Sequence, residues 1–347
     1  MMVQENTPIL NTQDRGGPAQ PLLVVNDLKK YFPVRSELFA KEKKFVHAVD
    51  NVSFSVSKGK TLGIVGESGC GKSTTAKLIA RLINPDSGKM VFDGDGVAEY
   101  GGIDLKEFRR NLQMVFQDSF ASLNPRLTIE QTIAYGPTVH GVSKLEASIQ
   151  ARALLQRVGL APELFASRYP HELSGGQRQR VNIARALAYQ PRLVILDEAV
   201  AALDKSVQAQ VLNLLQELKT ERQLTYLFIS HDLHVVRYMS DDVMVMYLGQ
   251  VVEKGPVDRI FSHAAHPYTQ ALLSAIPSMD PNKRTLKPPL EGDPPNPINP
   301  PAGCRFQNRC PKVKDNCRSI SPKLAAVGEE LDHIVACHLN LDPHTYG

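Results

Sequence analysis

Eight residues, Gly66-Glu67-Ser68-Gly69-Cys70-Gly71-Lys72-Ser73, fit the pattern G-x-x-x-x-G-K-[ST]. The chemistry of that pattern is anion binding. Glycines let backbone N–H groups wrap phosphate oxygens, and the N-terminus of a following helix adds a favourable partial charge. Lys72 is placed to reach the β- and γ-phosphates and Ser73 to ligate Mg²⁺. A second set of residues could act on what this loop holds. Leu193-Val194-Ile195-Leu196 runs into Asp197 and Glu198, which reads as a parallel strand buried on both faces with functional groups at its C-terminal end. Asp197 is placed to hold Mg²⁺, directly or through water, and Glu198 to polarise an attacking water. A solvated turn is the simpler reading of paired acids, but an unpaired carboxylate pair beside a buried strand is costly without a cation or proton. Tyr226 to Ser230 is a further buried run and ends at His231-Asp232. His231 there is either a satisfied polar residue or a catalytic one.

The elements that must position these groups follow from the hydrophobic pattern. Leu62 to Val65 before the loop, and Ala76, Ile79 and Leu82 after it, read strand, loop, helix. Leu22 to Leu28 and Val46 to Val56 have the content of strands. Between them Tyr31 and Phe32 are either edge-strand core contacts or a platform for a purine ring, and Lys41-Glu42-Lys43-Lys44 reads as a solvated hairpin loop. Lys89 to Gly94 predicts a strand entering a turn, and Leu112 to Phe116 another strand, ending at Gln117. Leu145, Ile149, Ala153, Leu154 and Val158 recur at helical spacing, as do Val181, Ile183, Ala184 and Leu187 after Leu173-Ser174-Gly175-Gly176-Gln177. Val243 to Glu253 predicts a hairpin turning at Leu248-Gly249-Gln250, and His266 to Leu273 a short helix.

Composition bounds the remaining possibilities. A chain of 347 residues suits one large domain plus an appendage, or two ordinary domains. Forty Lys and Arg against thirty-six Asp and Glu leave a net charge of +4, with no nucleic-acid footprint in that balance. No run approaches a membrane span, and the N-terminus carries no signal-peptide pattern, so a cytosolic chain with reduced thiols is expected. Residues 1–20 are polar and aperiodic and are expected to be disordered.

The ordered set of GESGCGKS, Gln117 after MVF, LSGGQ at Leu173 to Gln177, LVILDE ending at Glu198, AALD at Ala201 to Asp204, and His231 resembles the ABC-type ATPases. The resemblance covers Leu22 to about His263. It implies an α/β fold, a P-loop ATPase domain over residues 21–265 with a helical subdomain at about 117–190 facing a transmembrane partner. It also implies that Gly66 to Ser73, with Thr74, bind ATP and that Phe32 or Tyr31 stacks on adenine. Gln117 would contact metal and water and sense the partner. Ser174, Gly175, Gly176 and Gln177 would bind the γ-phosphate held by an opposite subunit. Asp197 would be the Mg²⁺ carboxylate, Glu198 the general base, Asp204 the dimer-loop acid and His231 the γ-phosphate switch. Two departures from the family pattern are Ala199, where proline is usual, and Ala201, where serine is usual. Neither removes a charged catalytic group, so activity is expected to be retained.

Residues 266–347 differ in kind. Pro288 to Pro301 is rich in proline and excludes a regular helix or central strand. Beyond it lie Cys304, Cys310, Cys317 and Cys337, separated by five, six and nineteen residues. Four thiols in a short tail suggest a metal site without C-x-x-C knuckles, compatible with zinc or with a [4Fe–4S] cluster. HPYTQALLSAIP followed by NPPAGCRFQNRCP resembles the C-terminal extension of ATPases that serve dipeptide and oligopeptide importers. That resemblance implies an iron–sulfur cluster on the four cysteines, two permease subunits, a second related ATPase and an extracytoplasmic binding protein as partners, and a peripheral position on the cytoplasmic face of the membrane. A soluble ABC-type ATPase acting on ribosomes or nucleic acid is the alternative, although such proteins usually carry two modules or a long coiled-coil insert. Cys70 in the loop is expected to be a small residue that fits, with its thiol pKa depressed by Lys72 and the helix N-terminus.

Overall fold

The computed structural model describes residues 17, 20–34, 44–99, 101–276 and 296–340. Most of the expected disordered tail, nearly all of the lysine-rich loop and the first part of the proline-rich segment lie outside the described residues. In chain order the first part comprises β1 (Pro21–Pro33), β2 (Phe45–Ser57), β3 (Thr61–Val65), α1 (Lys72–Ile79), β4 (Ser87–Phe92), β5 (Asp95–Gly96), α2 (Leu105–Asn111) and β6 (Leu112–Val115). A helical segment follows, with α3 (Ile129–Val139), α4 (Lys144–Arg157), α5 (Pro162–Phe165), a 3₁₀ turn at Pro170–Glu172 and α6 (Gly175–Leu187). The chain returns through β7 (Leu193–Asp197), α7 (Lys205–Arg222), β8 (Thr225–Ile229), α8 (Leu233–Met239), β9 (Asp242–Tyr247), β10 (Gln250–Pro256) and α9 (Val257–Ser262). The tail adds α10 (Pro267–Ser274), α11 (Asn316–Ser319), β11 (Ala325–Val327) and β12 (Glu330–Val335).

Two sheets form. One is antiparallel in the order β2-β1-β4-β5, and the larger runs β11-β12-β10-β9-β3-β8-β7-β6. Within the larger sheet β6, β7, β8, β3 and β9 are parallel, and all five residues of β3, β7 and β8 are buried. The continuous apolar runs follow from two cores on opposite faces of these strands. Leu193 and Ile195, Leu227 and Ile229, and Leu62 and Ile64 pack into the core shared with the antiparallel sheet. Val194 and Leu196, and Tyr226 and Phe228, pack into the core shared with the helices.

Helix starts are set locally. Thr128 with Gln131 and Ser174 with Gln177 form capping boxes at α3 and α6, satisfying N–H groups that a helix start leaves without partners. The sheet carries one feature that the sequence pattern does not announce. β12, from the tail, pairs antiparallel with β10 through Glu253–Val335 and Lys254–Ile334, so the cysteine-containing extension continues the sheet that carries the phosphate loop.

Candidate nucleotide-binding site

The loop between β3 and α1 is fixed by the two glycines that end it. Gly66 has φ 149° and Gly71 φ 108°, in the region that L-residues avoid. A Cβ at Gly66 would collide with the Met246 carbonyl and the Cys70 sulfur, and one at Gly71 with the Ala48 carbonyl. Ser68 and Gly69 form the exposed crest, Glu67 and Thr74 are half-buried, and Lys72 is buried. The Lys72 ammonium donates to the Gly66 carbonyl at 2.8 Å and the Glu67 carbonyl at 2.9 Å, which closes the loop on itself.

The acids stand at the C-terminal end of β7, beside this loop. Ser73 Oγ donates to Asp197 Oδ1 at 2.9 Å. Asp197 is 5% exposed, and burial raises its carboxyl pKa, reinforced by the neighbouring Glu198 charge and opposed by the Ser73 hydrogen bond. A hydroxyl and a buried carboxylate in contact at the head of α1 form a donor pair suited to a hard cation. Glu198 lies just past the strand in left-handed backbone, at φ 49°. Its Oε2 accepts from Gln117 Nε2 at 3.0 Å and lies 3.4 Å from His231 Nδ1. Gln117, Glu198 and His231 are therefore gathered from the ends of β6, β7 and β8. Ala199, beside them, is 3% exposed, and the turn closes through the Ala201 N–H on the Glu198 carbonyl at 3.1 Å without a proline.

Other candidate residues stand apart from the phosphate loop. Ser174 caps α6, and among the described residues no hydrogen bond joins Ser174, Gly175, Gly176 or Gln177 to the phosphate loop. Ser174 and Gly175 are exposed at the N-terminus of α6, and so is Asp204 at the start of α7. A Cβ at Gly176 would collide with Val207 of α7, so this glycine lets the two helix starts pack together. Tyr31 and Phe32 also divide. The Tyr31 ring stacks on His47 with centroids 4.1 Å apart and its hydroxyl donates to Asp50 at 2.6 Å, with burial pushing the phenol up to about 12. Phe32 is 38% exposed with Lys30 over its ring, which leaves Phe32 as the one with the freer face.

One expectation is corrected. The Cys70 thiol pKa is raised, not depressed. Burial at 4% exposure outweighs the attraction of Lys72. The four tail cysteines come together. Cys304, Cys310, Cys317 and Cys337 do line one small cavity, with His266 and His338, and all are free thiols. Among the described residues, however, no group of three or more His, Cys, Asp or Glu side chains is arranged to hold a metal ion. Cys317 and Cys337 are buried, and Cys304 and Cys310 partly so. Burial pushes Cys304 up to about 11 and raises Cys310 and Cys337, so a metal bound there would displace their protons.

Residues with no sequence signal tie the extension to this site. Arg305 is buried against Asp50 and the Leu248 carbonyl. Arg309 forks onto Glu67, and Tyr268 accepts the Glu67 N–H at 2.8 Å. The spacing RFQNR between two cysteines has no period that singles out these arginines.

Residues 49–201 match the ABC transporter family and residues 252–317 the oligopeptide/dipeptide transporter C-terminal region. The chain is similar to the oligopeptide transport ATP-binding protein AppF of Bacillus subtilis, 50% identical over 92% of this chain and 98% of that one. It is also similar to the dipeptide transport ATP-binding protein DppF of Escherichia coli, 46% identical over 92% and 94%. Among solved structures, cbiO1 of Clostridium perfringens, part of the ABC transporter complex cbiONQ, superposes with a TM-score of 0.59 at 27% identity, covering 70% of this chain and 91% of that one.

Proposed function

This chain belongs to the ABC transporter family of ATP-binding proteins, and from that premise we propose that it hydrolyses ATP to drive a peptide importer, taking dipeptides or oligopeptides as cargo. The observation that carries the reading is the convergence at one end of the sheet of a buried Lys72 on a glycine loop, the Ser73–Asp197 pair, and Glu198 between Gln117 and His231. The matched C-terminal region and the relatives named for oligopeptide and dipeptide transport support peptides as cargo over a ribosomal or nucleic-acid role.

The geometry supports a division of labour. The loop N–H groups and Lys72 bind the phosphates, and Phe32 packs on the base. Ser73 and Asp197 would hold Mg²⁺, which when bound neutralises phosphate charge. Glu198 accepts the proton of the attacking water, while Gln117 and His231 orient its carboxylate. The exposed α6 start and Asp204 act on the nucleotide of a second ATPase subunit, a related chain or another copy. Two permeases and an external binding protein complete the assembly, with this chain peripheral on the cytoplasmic face. Two features support the permease contact. The helices at 117–190 expose Tyr135, Val139, Leu145, Ile149 and Leu164, and a groove lined by Leu82, Gln113, Phe116 and Tyr189 opens where they meet the sheet. Among the described residues no helix is long and apolar enough to cross a membrane. In the tail, four thiols on one cavity support a bound [4Fe–4S] cluster or zinc, formed on their deprotonation. Iron, zinc and sulfide content after anaerobic purification decides among cluster, zinc and neither.

The test of the ATPase reading is Glu198→Gln. Steady-state turnover should fall by about 10²–10⁴-fold while ATP binding persists. Turnover at the wild-type rate refutes the base assignment.

A further inference from the structure

We propose that Arg309, in the C-terminal extension, is a positioning residue for the phosphate loop and acts through Glu67; the inference rests on the nucleotide-site reading above. Arg309 Nη1 donates to Glu67 Oε2 at 2.7 Å and Nη2 to Oε1 at 3.0 Å. This two-point fork fixes the plane of the carboxylate as well as its distance. The Arg309 side chain is 6% exposed and that of Glu67 24%, so the pair is little screened. Its guanidinium also reaches the Tyr247 hydroxyl at the end of β9, at 3.4 Å.

Glu67 is held by its backbone as well. Its N–H donates to the hydroxyl of Tyr268 at 2.8 Å, and Tyr268 is fully buried against Tyr247 and Phe306. Its carbonyl accepts from Lys72 at 2.9 Å. The Glu67 residue is thus where the lysine that binds phosphate meets the extension. Beyond it the crest is unsupported, since Ser68 and Gly69 are exposed and a Cβ at Gly69 would meet nothing within 4 Å.

Docking of the extension does not require this fork. β12 already pairs with β10, and Arg305 is already buried on Asp50. What the Arg309 fork adds is a fixed shape for the first half of the loop. A loop ordered before ATP arrives binds it more tightly, because the ordering cost has already been met.

The experiment measures Mg-ATP affinity by titration calorimetry and kcat by phosphate release on the full chain. Wild-type binding, measured first, carries the nucleotide reading separately. Arg309→Ala and Glu67→Gln should each weaken ATP affinity about tenfold, which is about 1.4 kcal/mol, and Arg309→Ala should keep kcat at saturating ATP within about twofold. The double variant should be no weaker than either single one, because both remove the same fork. Arg309→Lys keeps the charge without the fork and should recover only part of the affinity; it also carries the test where Arg309→Ala fails to fold. Unchanged affinity in both single variants on a wild-type that binds ATP overturns the proposal, and so does an additive loss in the double variant.

Discussion

Removing Asp50 should loosen the extension from the ATPase domain, and the size of the effect follows from what the carboxylate holds. Asp50 lies near the start of the sequence and accepts from Tyr31 at 2.6 Å, from Gln250 at 3.3 Å and from Arg305 of the extension. The Arg305 and Asp50 side chains are 7% and 11% exposed, and burial lowers the arginine pKa against the pull of Asp50. Asp50→Ala strands a buried guanidinium whose other partner is the Leu248 carbonyl. Breaking a buried pair in this way costs about 3–5 kcal/mol, and the carbonyl that remains argues for the lower figure. At about 2–4 °C per kcal/mol for chains of this order, the unfolding midpoint should fall by roughly 6–12 °C. Asp50→Asn, which keeps an acceptor without its charge, should cost less. Asp50→Leu combined with Arg305→Met should recover most of the loss, because apolar replacement of both partners leaves no unpaired charge. Circular dichroism melts give the midpoints, and limited proteolysis reports release of the extension. A midpoint for Asp50→Ala within about 2 °C of wild type, or a double variant no more stable than the single, refutes the argument that Asp50 and Arg305 form one buried unit.

Two further outcomes follow from buried groups. His266 is 1% exposed and caps α10 by accepting the Tyr268 N–H at 3.0 Å, and burial lowers its pKa to about 3. The unfolded chain takes up that proton first, so the stability His266 contributes is present above about pH 6.5 and is lost on acidification toward pH 3, by up to about 1.4 kcal/mol per pH unit. His266→Asn keeps a capping oxygen without the titration, so the gap in stability between wild type and variant should change with pH across that window in melts at several pH values; a constant gap refutes the assignment. Cys70, buried with a raised thiol pKa, should react with iodoacetamide at least about tenfold more slowly than a free cysteine at pH 8, with or without ATP. Rapid stoichiometric labelling of the native chain by mass spectrometry would contradict that burial.

The sequence by itself determined the nucleotide chemistry. The loop, LVILDE and LSGGQ are written in contiguous residues because each is one turn or one strand end, where local backbone geometry and burial on both faces leave a direct signature. Strand–loop–helix around Gly66 to Ser73, the buried strands before Glu198 and His231, and the hairpin at Leu248-Gly249 could all be read in this way. Meetings between distant segments could not. That Glu198 faces Gln117 and His231, that Tyr31 is held by Asp50 while Phe32 is exposed, and that β12 extends the β10 edge are set by strand order, which no local pattern encodes. The Cys70 pKa was misjudged for the same reason: neighbouring Lys72 is visible in sequence, whereas the burial that outweighs it comes from the core cluster that Cys70 joins with Ile64, Ala76 and Met246. The arginines of the extension mark the limit most clearly. Arg309 lies 242 residues from Glu67, and an ion pair across that separation depends on tertiary packing alone, since neither side chain has a periodic pattern to betray its partner.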